Sequence, residues 1–185
     1  MAMQKIRNKK LLVLAEGAVM VALSAVLSLL RIPVGPEGGS IDFAMIPLMI
    51  YALRRGVFSG LMAGAVAGMI QYFNEGYAVN IWSLIMDYPL AYMMVGLAGL
   101  MMLKKSAGGW ALGAVIGGFA RWLVHIVSGV VFYASFAAPK VWFMHTPTVW
   151  LYSAAYNALY MIPGIVIAAA ACAALAKPLS KALME

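Results

Sequence analysis

Apolar runs occupy most of this chain, at about 11–30, 41–53, 57–73, 81–103, 110–134 and 148–176, with basic clusters set between them. Runs near roughly 20 residues have the length an α-helix needs to cross a bilayer. The composition agrees: 65% of residues are hydrophobic, 10% are charged and the mean hydropathy is +0.93, too little charge for a soluble domain of this length. The sequence therefore predicts an all-α integral membrane protein of six transmembrane helices, a single membrane domain over 1–185. The second and third runs are too short to cross upright and are expected to be irregular at their outer ends. The last is long enough to tilt or bend, with Pro163 as its expected kink.

Charge sets the expected orientation. Lys5, Arg7, Lys9 and Lys10, then Arg54 and Arg55, Lys104 and Lys105, and finally Lys177 and Lys181 all fall on one side of a six-span chain. Arg31 and Lys140 fall on the other, so the positive-inside rule places both termini in the cytoplasm. The net charge of +7 is then a topological bias and carries no expectation of nucleic-acid binding. The first run is longer than a signal-peptide core and lacks a small-residue cleavage site before Arg31, so it is expected to remain as a helix. Cys172 is the one cysteine, which excludes an intrachain disulfide and a cysteine metal cluster and leaves it a packing role.

Two charges lie inside apolar runs, Asp87 in the fourth and Arg121 in the fifth. In hydrocarbon each costs at least about 2.5–3.5 kcal/mol, so an ionisable residue there marks a functional site before it marks anything else. His125 lies one helical turn beyond Arg121, on the same face. With about 1.5 Å of rise per residue, Asp87 and Tyr88 fall roughly 9–11 Å below the outer boundary, Tyr152 about 6 Å, His125 and Asn157 roughly 14 Å, and Arg121 somewhat deeper. Polar side chains from three different runs thus share one half of the membrane. Asp87 supplies a negative acceptor, Asn157 an amide and His125 a switchable donor, while Tyr88, Tyr133 and Tyr152 add aromatic faces with hydroxyl tips. That set suits a flat, heteroaromatic, cationic ligand. A second cation there would be repelled, so Arg121 is expected to neutralise or orient Asp87 and to contact the uncharged part of the ligand.

Several of these residues have plainer readings. Asp87 and Arg121 also fit a purely structural ion pair, and Tyr77, Tyr133 and Tyr152 fit an interfacial aromatic belt. Tyr156 and Tyr160 continue the Tyr152 face and are expected to pack. Glu16 is expected to contact a partner or to snorkel towards the cytoplasm. Gly60, Gly64 and Gly68 recur at every fourth residue and predict close helix approach, as do Ala18 with Ala22 and Gly113 with Gly117. The segment Arg31–Ser40 is dense in turn formers and is expected to be an outer loop or a lid. No G-x-x-x-x-G-K-[ST], H-E-x-x-H or G-x-S-x-G motif is present. Energy for moving a solute would therefore come from another subunit.

Ordered motifs run along the chain: Ala52-Leu53-Arg54-Arg55-Gly56, then Asp87-Tyr88-Pro89-Leu90-Ala91 with Gly96-Leu97-Ala98-Gly99, then Arg121 and His125 with Ser128-Gly129, then Tyr152 with Asn157. In this series the chain resembles the thiamine-specific S components of energy-coupling factor (ECF) vitamin transporters over essentially its whole length. The resemblance implies a six-helix protein of a prokaryotic plasma membrane. It would bind thiamine from outside and dock on a transmembrane scaffold subunit with two ATPase subunits. It would carry no cofactor of its own, ATP being used by the partners. Matched by motif, Asp87, Arg121, His125, Tyr152 and Asn157 would contact thiamine. Tyr77, Tyr88 and Tyr133 would stack or close the pocket, Asp42 would sit beneath the lid, and Ala18 and Ala22 would face the scaffold. The chain departs from the family pattern at Asp87 (glutamate), Arg121 (lysine), Tyr133 (tryptophan) and near Gly38, where a loop tryptophan is expected. Trp142 is a candidate substitute. Two alternatives remain from the residues: an S component for another heteroaromatic precursor such as a hydroxymethylpyrimidine, and a membrane-embedded enzyme using Asp87 and His125 as acid and base.

Overall fold

The computed structural model describes residues 2–34, 39–141 and 143–181. The glycine-rich stretch at 35–38, including Gly38, and Trp142 lie outside the described residues. Among the described residues the frame is formed by the helical stretches α1 (Ala2–Leu27), α2 (Met45–Arg55), α3 (Val57–Glu75), α4 (Ile81–Met101), α5 (Ala107–Phe132) and α6 (Val149–Lys181). Among the described residues, four helical stretches are long and apolar enough to cross a bilayer: Lys9–Leu27, Ile81–Met101, Ala107–Phe132 and Val149–Leu179. The first helix stops short of the expected 30, giving way to a turn at Ser28–Leu30. The frame is not purely helical. The two long connections fold back as short antiparallel hairpins, β1 (Arg31–Pro33) with β2 (Ser40–Asp42), and β3 (Lys140–Val141) with β4 (Met144–His145). Backbone pairing satisfies groups that turn-rich sequence cannot satisfy in a helix.

Local chemistry explains the breaks. Gly56, at φ 89°, separates α2 from α3, and Gly76, at φ 66°, ends α3 in the left-handed region with its N–H on Tyr72 O. Asn80 caps α4 by accepting from the Trp82 and Ser83 amides at 2.9 Å, and Ser83 Oγ accepts in return from the Asn80 amide at 3.1 Å. Ser106 caps α5 through the Gly109 amide.

Helix α2 is the centre of the bundle. Pro47 through Leu53 are consecutive and all buried, so every face of this helix is covered. Its 11 residues span about 16 Å at 1.5 Å per residue, short of a crossing as expected. Around it, α3 lies against α4 along the glycine series. A Cβ on Gly64 would stand 2.2 Å from Tyr92 O, and one on Gly68 2.4 Å from Tyr88 O, so this stripe serves packing within the chain.

Helix α4 departs from the regular helix expected at 81–103. It begins as α over Ile81–Ile85, widens to a π-turn at Met86–Leu90, returns to α over Ala91–Met94 and tightens to 3₁₀ over Val95–Met101. Pro89 sits inside the π-turn and has no N–H to give a regular ladder. Helix α6 continues past Pro163 and Pro178.

Polar groups tie the bundle at both ends. Ser24 Oγ donates to Ala44 O at 2.8 Å, Gln71 Nε2 to Ser24 O at 3.4 Å and Asn74 Nδ2 to Ser28 Oγ at 3.2 Å, joining α1, α3 and the start of α2. At the opposite end Glu16 accepts from Arg54 Nε at 2.5 Å and Arg55 Nε at 2.6 Å, while Arg54 Nη1 also reaches Leu179 O at 3.1 Å. Glu16 is thus held within the chain rather than snorkelling. A half-buried carboxylate between two helices is stabilised by the arginines of its own chain. On α1, Gly17, Val21 and Ser24 face inward, as does Ser28 in the turn that follows, whereas Ala18 and Ala22 are exposed.

Candidate ligand-binding site

A cavity of about 330 Å³ opens where α3 and α5 end and α4 and α6 begin, beneath the β1–β2 hairpin. That volume falls in the range of small-molecule pockets. All nine side chains expected at the site line it: Asp42 from β2, Tyr77 after α3, Asp87 and Tyr88 from the π-turn, Arg121, His125 and Tyr133 from α5 and its end, and Tyr152 and Asn157 from α6.

The charged groups form a chain. Arg121 Nε donates to His125 Nε2 at 3.3 Å, and His125 Nδ1 stands 3.3 Å from Asp87 Oδ1. An Nε2 that accepts a hydrogen bond carries no proton, so Nδ1 is the protonated nitrogen and donates to the carboxylate. His125 therefore stands between Arg121 and Asp87 and gives both ring nitrogens to them. Arg121 also lays its guanidinium over the Tyr92 ring, with Cζ 3.8 Å from the centroid. Asp42 is buried in the cavity lining at the end of β2 and accepts the Ala44 amide at 2.8 Å, fixing the entry into α2.

Aromatic rings build the walls. Tyr88 donates its hydroxyl to Tyr77 O at 3.0 Å and packs edge-on against Tyr72. Tyr77 lies 6.1 Å from Tyr133, which in turn meets Phe136. Across the cavity Tyr152 and Tyr156 stack with ring centroids 5.9 Å apart. Asn157 places its amide within the protein: Nδ2 donates to Ser153 O at 2.8 Å, and Oδ1 accepts from the Tyr160 hydroxyl.

The sequence reading missed several lining residues. Tyr156 and Tyr160, expected only to pack, face the cavity, and Tyr92, Phe136, Ser153 and Arg31 line it as well. Tyr156 and Tyr160 carried a signal in continuing the Tyr152 face at successive steps of four residues, and Tyr92 in its spacing from Tyr88. Phe136 and Arg31 carried none, since both lie in connections whose path only the fold determines. Carboxylates, tyrosine faces and one deeply set guanidinium can hold a flat cation by stacking and charge-assisted contact.

Comparison with known proteins points the same way. The family model described as "Thiamine transporter protein (Thia_YuaJ)" matches residues 14–184. The chain is 34% identical over 177 residues to the "Thiamine transporter ThiT" of Bacillus subtilis (strain 168), covering 88% of this chain and 89% of that protein. It is 31% identical over 166 residues to the "Thiamine transporter ThiT" of Lacticaseibacillus paracasei, covering 82% and 80%. A solved structure of ThiT from Listeria monocytogenes superposes with a TM-score of 0.82 at 25% identity, covering 95% of this chain and 99% of that one. A multi-pass membrane frame, a cavity set in its end and a family match over nearly the whole length agree, and the chain belongs to the Thia_YuaJ family of thiamine transporter proteins.

Proposed function

We propose that this chain is the substrate-binding subunit of an ECF-type transporter, capturing thiamine from outside the cell and passing it inward only with an ATPase-bearing complex. The observation that carries the reading is the Asp87 carboxylate, held by His125 at 3.3 Å between tyrosine walls, in a cavity of about 330 Å³. Thiamine is a cation with two flat heteroaromatic rings. The thiazolium would meet Asp87 and the tyrosine faces, and the aminopyrimidine would meet the opposite wall. His125 orients the carboxylate, and Arg121 holds His125 in turn. Membership in a transporter family sets aside acid–base catalysis by Asp87 and His125.

The same reading includes six crossings with both termini cytoplasmic, in a prokaryotic plasma membrane. The basic clusters at Arg54, Arg55, Lys104 and Lys105 support it, since they lie at the end of the bundle away from the cavity. The exposed Ala18 and Ala22 would meet the scaffold subunit, where small residues permit close helix approach.

The test is equilibrium titration of purified protein with thiamine and, in parallel, hydroxymethylpyrimidine, followed by intrinsic fluorescence. Saturable thiamine binding with quenching is expected, because the ligand stacks among tyrosines. Tight binding of the pyrimidine with none of thiamine would assign the site to the precursor instead.

A further inference from the structure

We propose that Tyr92 is a specificity-determining residue: its ring face holds the Arg121 guanidinium flat against the cavity wall, so that a cationic ligand can share the cavity with a buried arginine. The proposal rests on the reading that the ligand is thiamine. Arg121 lines the cavity and is 7% exposed, and its charge has the same sign as the ligand it would accompany. An arginine at that depth left to choose its own rotamer would turn towards Asp87 and compete with the ligand for the carboxylate.

Two contacts prevent that rotation. Arg121 Nε is aimed at His125 Nε2 at 3.3 Å, and Cζ lies 3.8 Å from the Tyr92 centroid. The Nε contact directs one edge of the guanidinium, and stacking on the Tyr92 ring sets its plane. The ring cannot yield, because Tyr92 is 2% exposed and its backbone carbonyl is pressed against α3 at Gly64. The negative face of the ring also offsets part of the guanidinium charge on the cavity side. Tyr92 thus bears on whether the cavity accepts a cation, and bears little on whether it accepts a ring.

The experiment compares thiamine with 3-deazathiamine, its uncharged thiophene isostere, by titration calorimetry on wild type, Tyr92→Phe, Tyr92→Leu and Tyr92→Leu/Arg121→Gln. Tyr92→Leu is expected to weaken thiamine by at least about tenfold, the size of a desolvated cation–π contact, while 3-deazathiamine changes by less than about threefold. Tyr92→Phe keeps the ring face and should hold thiamine within about threefold of wild type. Removing the charge in the double variant should recover most of the thiamine affinity lost in Tyr92→Leu. Equal losses for both ligands, a Phe variant as weak as the Leu variant, or unchanged thiamine binding in Tyr92→Leu would each overturn the proposal while leaving the thiamine reading standing. Failure of wild type to bind thiamine would remove that reading and this proposal together.

Discussion

Asp87 and His125 are paired at 3.3 Å, and the pairing decides what each can offer. With both imidazole nitrogens engaged, His125 has only its ring face for a ligand, and on the proposed reading the carboxylate would be the group that meets a cation. Asp87→Asn keeps the shape and removes the charge. It is expected to weaken thiamine by on the order of 1.5–3 kcal/mol, the cost of a lost charge-assisted hydrogen bond. Titration of a variant with unchanged helix content checks this, and undiminished affinity would reduce Asp87 to a structural partner of His125. The convergence of Asp87, Arg121, His125, Tyr152 and Asn157 was legible in the sequence because helical rise converts position into depth. Their connectivity was not. The order Arg121, His125, Asp87 depends on which side chain stands between the other two, and that follows from how α4 faces α5.

At the scale of elements, the glycine series of α3 was legible as a close-approach face, and its target was not. Gly64 and Gly68 seat the carbonyls of Tyr92 and Tyr88, so the stripe supports the segment of α4 that carries the site. Gly64→Ala would put a methyl group 2.2 Å from Tyr92 O, where backbone cannot yield cheaply. We expect a stability loss of about 1–3 kcal/mol, in line with overpacking, together with weaker thiamine binding as Tyr92 and Asp87 move. Thermal unfolding and ligand titration of the same variant measure both, and wild-type values in each would show that α4 can shift without consequence. The π-turn at Met86–Leu90 was illegible. Pro89 announced a disturbance, but one residue earlier or later would read the same, and only packing against α3 decides which. The hairpins were illegible for a similar reason: turn formers at Arg31–Ser40 ruled out a helix without fixing a register.

For the whole molecule, the proposal expects ligand capture by the chain alone and accumulation only with its partners. Ala22→Trp adds bulk to the exposed face of α1, outside the cavity lining, and should leave thiamine affinity unchanged while stopping ATP-dependent uptake in vesicles containing the complete complex. Uptake at the wild-type rate by the correctly inserted variant would place the docking face elsewhere. The dimensions of α2 bear on what those partners have to do. It is entered beside Asp42, which lines the cavity, and its last residues are Arg54 and Arg55, bound to Glu16. Between these two polar ends stand the nine apolar residues Met45–Leu53 of α2, about 14 Å of helix, against a hydrocarbon layer about 30 Å thick. On the proposed reading, the insulating plug would be roughly half as thick as the membrane it closes. A vitamin resting in the cavity would then have the rest of its crossing behind it, and the energised step would have only the length of one short helix to cover.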